Sequence, residues 1–172
     1  MIYAVDPGTF KSAFVFFDPV AQRIVDMGIE DNNLLVRQLS VGTRRMTVFA
    51  IEMIASFGFS VGKEIFETVW WTGRFHQAVT GQDVPVFPVT RKQVVVHHTG
   101  KATTGDSAVR ASMIARFGKE NLKGCVYDIW SALAIASCVS DHLYGKVADT
   151  FIGSDEYMRA RGFAEIPADT SL

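Results

Sequence analysis

Ile2-Tyr3-Ala4-Val5-Asp6-Pro7-Gly8-Thr9 opens the chain with four apolar residues that run directly into a carboxylate, a proline and a glycine. A short apolar run bounded by turn residues predicts a buried strand. A carboxylate at the end of such a strand is costly unless it is paired, and a divalent metal is a frequent partner for oxygen ligands. Gly8 allows the backbone to turn and a phosphate to approach. This stretch therefore predicts a core strand that carries Asp6 to a functional site.

Two further acids stand at the ends of apolar segments. Thr47–Ile51 is predicted to be a second buried strand, and Glu52 follows it directly. Asp128 precedes a helix whose apolar run is Ala132–Ala136. Three acids at the ends of three core elements predict one metal site on a rigid scaffold, because hard divalent cations prefer oxygen ligands.

Length and composition restrict the class of protein. The chain has 172 residues, 48% of them hydrophobic, which fits one domain with a full core. Its apolar stretches are far shorter than the roughly 18 residues of a membrane span. No basic region precedes the first apolar run, so no signal peptide is expected. Cys125 and Cys138 form neither a disulfide framework nor a metal knuckle. These features predict a cytoplasmic protein that does not bind membranes.

The net charge of −1 conceals an uneven distribution. Residues 91–123 carry seven bases and two acids, a net charge of +5, whereas residues 141–172 carry three bases and six acids, a net charge of −3. A basic segment on a near-neutral chain can form a phosphate-binding surface. A solvated helix face would have the same composition, so charge alone leaves both readings open.

The hydrophobic pattern predicts one domain over residues 1–145 and an acidic tail over residues 146–172 that is part of this domain or flexible. Strands are expected at 2–5, 13–17, 23–27, 47–51 and 85–89, with Lys11 and Ser12 in the first turn. Helices are expected over 31–42, 60–79 and 129–144, and from a cap at Thr104 or Asp106 to Phe117. This order predicts an α/β fold with helices on both faces of a mixed sheet.

Four motifs, in this order, resemble the RuvC Holliday junction resolvases of the RNase H-like superfamily. They are Ile2–Thr9, Phe49–Glu52, the basic stretch Arg91–Val96 followed by Gly100-Lys101, and Asp128–Ala136. Each motif alone is weak, but the ordered set covers residues 1–140 and is fairly specific. The resemblance implies an RNase H-like fold, with a central mixed five-stranded sheet flanked by helices. The compact, divergent chain suggests a bacteriophage-type member.

The resemblance implies a metal-dependent, structure-specific endonuclease that resolves four-way junctions in branched DNA by paired nicks. Two Mg²⁺ or Mn²⁺ ions per active site would bind Asp6, Glu52 and Asp128, with Asp6 bridging them. One ion would activate a water for in-line attack and the other would stabilise the leaving 3′ oxygen. Lys101 is a candidate catalytic residue, close to the metals or in contact with a phosphate.

Ser131 departs from the family pattern, which usually has two acids three residues apart on the last helix. This spacing places Ser131 on the same helix face as Asp128, as a weak fourth metal ligand or the holder of a metal-bound water. The site is therefore expected to hold one metal less tightly, to prefer Mn²⁺, or to be degenerate. Asp141 is no obvious substitute, because a helix carries it ~20 Å beyond Asp128.

Each candidate residue also has a plain structural reading. Asp6 and Glu52 could end their strands in a turn or an exposed loop, and Asp128 could be an ordinary helix N-cap. His97 and His98 have no cysteines or carboxylates at ligand spacing, so a metal site is not expected there.

The predicted DNA contacts come from the basic segment and from one aromatic residue: Arg91, Lys92, Lys101, Arg110 and Phe57. Phe57 follows Glu52 by five residues and could stack on unpaired bases at a branch point, although burial is equally plausible.

The resemblance also implies a symmetric homodimer. The helix predicted over 60–79 is the candidate interface, because it has more apolar surface than packing on a sheet requires. The residues concerned are Ile65, Phe66, Val69, Trp70, Trp71 and Phe75.

Other functions fit parts of the sequence. An acid, a glycine and a threonine after a first strand also open sugar-kinase and actin-like ATPase folds, but those folds need a second phosphate loop and an adenosine motif. A catalytically weakened branched-DNA-binding relative is favoured by Ser131. An RNase H-like nuclease acting on flaps, forks or structured RNA would share the fold and the metal site.

Overall fold

A mixed five-stranded sheet forms the centre of the protein, as predicted. The computed structural model describes residues 1–42, 46–55 and 62–144. The strand order is β3-β2-β1-β4-β5, with β1 to β3 antiparallel and β1, β4 and β5 parallel. The strands are β1 (Ile2–Asp6), β2 (Lys11–Asp18), β3 (Arg23–Asp31), β4 (Val48–Met53) and β5 (Val86–Thr90).

Five α-helices and one short 3-10 helix complete the described structure. They are α1 (Asn32–Val41), α2 (Lys63–Val79), α3 (Arg91–Thr99), α4 (Asp106–Phe117), the 3-10 helix Lys119–Leu122 and α5 (Ile129–Tyr144). Among the described residues, no helix combines the length and the apolar character that a membrane span requires.

Alternation along the strands separates two hydrophobic cores. One face of the sheet presents Ile2 and Ala4 of β1 to a core that includes buried residues of α3, α4 and α5. The opposite face presents Tyr3 and Val5 to a core that includes residues of α1 and α2. Because successive side chains of a strand point to opposite faces, this alternation also determines where polar residues at strand ends emerge.

Several predicted boundaries change in the structure. β2 begins at Lys11, because the residues assigned to the turn pair with the end of a longer β3. Helix α4 is preceded by Gly105 rather than capped by Thr104 or Asp106. Helix α3 was missed, although Thr90 and Gln93 form a reciprocal capping box at its start.

Two sequence predictions fall outside the described residues. Phe57 lies in the undescribed segment 56–61, and the acidic tail lies in 145–172.

Candidate active site

Strand register brings Asp6 and Glu52 together. β1 and β4 are parallel, with Val5 opposite Ile51, so the next residue of each strand is one of the two acids. Both acids share the alternation of the residues that face α5. The parallel strands therefore deliver two carboxylates to one edge and one face of the sheet.

The start of α5 adds Asp128 and Ser131 to these two acids. The Asp128 carbonyl accepts a hydrogen bond from the Ala132 amide at 3.0 Å, so Asp128 occupies the N-cap position. Its charge acts on both Asp6 and Glu52, and the Ser131 hydroxyl is near enough to the Asp6 carboxylate to lower the pKa of Asp6. Asp128 thus begins the helix and also lies near the other two acids, while its role and that of Ser131 as ligands stay predictions.

Burial and nearby negative charges make Asp6 and Glu52 weak acids. Burial, reinforced by the charges of Glu52 and Asp128, raises the pKa of Asp6 to about 8. Burial also raises the pKa of Glu52, against the opposing effect of the Arg91 charge. Like charges in a partly dry site favour the protonated forms. A cation that replaces the protons would therefore stabilise such a site.

A buried polar network holds the turn that follows Asp6. Ser12 donates to the Asn32 side chain at 2.7 Å, and Asn32 donates to the Gly8 carbonyl at 2.9 Å. The Gly8 amide donates to the Ser12 hydroxyl at 3.1 Å. A Cβ on Gly8 would lie 2.3 Å from the Lys11 carbonyl oxygen, so no side chain fits there. Sequence reasoning explained Gly8 by the backbone turn and by phosphate approach, and it missed this network, which joins the turn to β2 and α1.

Arg91 is the cation beside the carboxylates. Its charge lowers the pKa of both Asp6 and Glu52, and its guanidinium forms an ion pair with Asp106. Lys101, the predicted catalytic lysine, is exposed in the loop between α3 and α4. It is not among the charges that shift these two acids, and its role stays a prediction.

The donor set suits a hard divalent cation, since it consists of carboxylates and one hydroxyl. Within the described part of the chain, however, no three histidine, cysteine or acidic residues are already grouped to hold a metal ion. The residues fit such an ion in chemistry, and binding it requires the carboxylates to draw together.

Two of the predicted DNA-binding bases, Arg91 and Lys92, line a cleft beside the site. Arg91, Lys92, Val95, Ala102, Thr104 and Asp106 line this cleft of about 400 Å³. Lys92 is exposed, and Arg110 is exposed with its guanidinium 4.5 Å from the centre of the Trp130 ring. Trp130 follows Asp128 by two residues, so the stack fixes a cation close to the carboxylate end of α5.

Arg116 is removed from this basic surface. Its guanidinium donates to Asp141, at 2.6 Å for Nη2 to Oδ1, and to Gln22. Asp141 also bonds to His97 at 3.0 Å. Although burial opposes ionisation, these hydrogen bonds hold the pKa of Asp141 well below its usual range. The network joins α3, α4 and α5 to the β2–β3 turn, and Asp141 reaches His97 from 44 residues along the chain.

Helix α2 divides its aromatic residues between core and solvent. Trp71 and Phe75 are buried against the sheet, which corrects their assignment to an interface. Phe66, Val69 and Trp70 are 64%, 47% and 58% exposed on one helical face. The exposed apolar surface is therefore smaller than the predicted interface, but it is continuous.

The fold resembles solved structures of RuvC from Thermus thermophilus. One matches with a TM-score of 0.66 and 18% identity over 84% of this chain and 96% of that chain. Another, in complex with a Holliday junction substrate, matches with a TM-score of 0.64 and 18% identity over 80% and 90%. No family model and no curated protein matches the sequence. At this identity the likeness shows the fold, which is the RuvC type of the RNase H-like fold.

Proposed function

We propose that this protein is a divalent-metal-dependent endonuclease of branched DNA that resolves four-way junctions by paired nicks. The observation that carries the proposal is the convergence of Asp6, Glu52 and Asp128 at one edge of the sheet. The fold supports the choice of substrate, because a protein of the same fold was solved with a Holliday junction. A bacteriophage origin remains a prediction that rests on the compact, divergent chain.

The acids Asp6, Glu52 and Asp128 would hold Mg²⁺ or Mn²⁺, two ions per site, with Ser131 as a weak additional ligand. When bound, the ions supply positive charge to the phosphodiester and an activated water. The chain itself controls a proton: Asp6, with its pKa of about 8, is largely protonated at neutral pH and must lose this proton to become a ligand. The Ser131 hydroxyl favours that loss, because it lowers the pKa of Asp6.

Basic residues beside the site would bind the DNA backbone. Lys92 and Arg91 line the cleft, Lys101 lies in the adjoining loop, and Arg110 is held on Trp130. Bases that contact phosphates release counterions, so their contribution falls as salt rises. Phe57 remains a proposed stacking residue.

A homodimer would supply the two active sites that paired nicks need. The face formed by Phe66, Val69 and Trp70 is the proposed contact, since a two-fold dimer uses the same patch of both subunits. Exposed aromatic side chains favour such contacts.

A cleavage panel tests the proposal. It compares a four-way junction, a flap, a fork, a linear duplex and an RNA–DNA hybrid, each with Mg²⁺, with Mn²⁺ and with chelator, and with Asp6→Asn as the inactive control. Preferential cutting of the junction, abolished by chelator and by Asp6→Asn, supports the proposal. Cutting confined to flaps, forks or RNA would replace the substrate but keep the metal-dependent nuclease.

A catalytically weakened branched-DNA-binding protein is the second candidate. Ser131 in place of an acid favours it, as does the separation of the carboxylates among the described residues. Tight junction binding without cleavage in either metal would select this function.

A further inference from the structure

Arg91 lies where it can compete for the carboxylate site. Val89 of β5 stands opposite Glu52 of β4, and Arg91 begins helix α3 directly after this strand. From this position its charge acts on both Asp6 and Glu52. One guanidinium nitrogen, Nη2, is paired with Asp106. The other, Nη1, is buried and has no hydrogen-bond partner among the described residues. The guanidinium is thus only partly engaged next to buried acids.

The negative charge of Asp106 acts on the same site as the positive charge of Arg91. It is the first residue of α4, its side chain is 86% exposed, and it contacts Arg91 from across the cleft. Its charge also raises the pKa of Glu52, so it lies within the field of the site. The ion pair therefore joins one group that repels a bound cation to one that attracts it.

We propose that Arg91 competes with divalent metal for the carboxylates of Asp6 and Glu52, and that Asp106 holds Arg91 away from them. The inference rests on the proposed metal site and adds a competitor and its restraint to it. A guanidinium can bind a carboxylate through two parallel hydrogen bonds, so a released Arg91 would occupy ligand oxygens that the metal needs. Asp106 is then a positioning residue, which tunes metal affinity through Arg91.

The competition predicts a specific pattern of Mn²⁺ affinities. Arg91→Ala should bind Mn²⁺ about tenfold more tightly, which corresponds to ~1.4 kcal/mol. Asp106→Asn should bind it about tenfold more weakly, because Arg91 loses its restraint. In the Arg91→Ala background, Asp106→Asn should weaken binding by only about twofold, because just the direct attraction of Asp106 is lost. This non-additivity separates competition from two independent charge effects.

Calorimetric titration of the full chain with Mn²⁺, without DNA, measures the affinities of the wild type, the two single variants and the double variant, which together form a double-mutant cycle. Lys123→Ala is the matched control, because it removes one base from an exposed ion pair with Glu120. Thermal melting with and without Mn²⁺ verifies folding and gives a second readout, in which Mn²⁺ should stabilise Arg91→Ala most. If Arg91→Ala does not fold, Arg91→Lys replaces it in the cycle, because a lysine cannot hold Asp106 and a second carboxylate with one planar fork.

The possible outcomes distinguish a failure of the proposed metal site from a failure of the proposed competition. A wild-type protein that binds no Mn²⁺ overturns the proposed metal site, and the competition with it. A wild-type protein that binds Mn²⁺, with equal effects of Asp106→Asn in both backgrounds, overturns the competition alone. A reduced effect of Asp106→Asn in the Arg91 variant, with Lys123→Ala unchanged, supports it.

Discussion

Asp6→Asn should stabilise the metal-free protein while it removes metal-dependent cleavage. Asp6 is buried beside Glu52 and Asp128, and its pKa is raised from 3.8 to about 8. An asparagine has nearly the same shape but carries no charge and needs no proton. The variant should therefore remove a stability penalty that grows with pH. It should bind DNA as well as the wild type, and better at a pH where Asp6 is ionised, because repulsion of phosphate then falls.

The size of this effect follows from the two pKa values. Between pH 3.8 and about 8 the folded protein keeps a proton on Asp6 that the unfolded chain has lost, so stability falls as pH rises. Each pH unit in that window costs about 1.36 kcal/mol, which gives an upper limit of about 4 kcal/mol at pH 7. Relaxation of the site and water entry reduce this limit, so we expect a gain of about 2–4 kcal/mol for Asp6→Asn at pH 7 and almost none at pH 4.

Urea unfolding in chelator at pH 4, 6 and 8 measures the difference between the two proteins. The gain should increase with pH and level off above pH 8, and added Mn²⁺ should stabilise the wild type but not the variant. Ser12→Ala is a control that disturbs the same turn without changing a charge. A stability difference independent of pH would refute the reasoning about Asp6, and full nuclease activity in Asp6→Asn would refute its assignment to the site.

Three further predictions address the other parts of the site. Ser131→Asp should lower metal-free stability but bind Mg²⁺ about tenfold more tightly by calorimetry, since a carboxylate replaces a hydroxyl beside the acids; unchanged affinity in the folded variant would deny Ser131 a ligand role. A Lys101→Ala, Arg110→Ala double variant should flatten the slope of log K against log salt on duplex DNA by about 1.8, at about 0.9 per lost contact; an unaltered slope would place this surface away from DNA. Trp70→Glu should convert a dimer to a monomer in sedimentation at micromolar concentration, whereas Gln77→Glu on the same helix should not; a wild-type monomer, free and junction-bound, would exclude paired nicks.

The local sequence pattern was sufficient to predict much of the sheet and the acids at the ends of β1 and β4. The apolar run at Ile2–Val5 and the one that ends at Ile51 predicted β1 and β4, because burial of alternate side chains requires only neighbouring residues. Parallel pairing of those strands then places Asp6 beside Glu52. The i, i+3 spacing likewise put Ser131 on the Asp128 face, and in the structure both residues affect the pKa of Asp6.

Helix α3 shows where local pattern misled. Its core-facing stretch Val94–Val96 is β-branched, and such residues disfavour helix and favour strand. The overlooked signal was Thr90 with Gln93, whose spacing is that of a capping box. Without α3, the position of Arg91 could not be placed, and it was assigned to the DNA surface alone.

Element type and the two strand-end acids were thus encoded in short stretches, because hydrophobic periodicity and backbone geometry act between residues a few positions apart. The partners of the charged residues were not. Arg91 meets Asp106 across a cleft, Arg116 turns inward to Asp141, and Trp71 is buried while its neighbour Trp70 is exposed. Each of these outcomes depends on how helices pack against a shared sheet, since the energy of a charge or an aromatic ring is set by the dielectric and the neighbours that packing gives it.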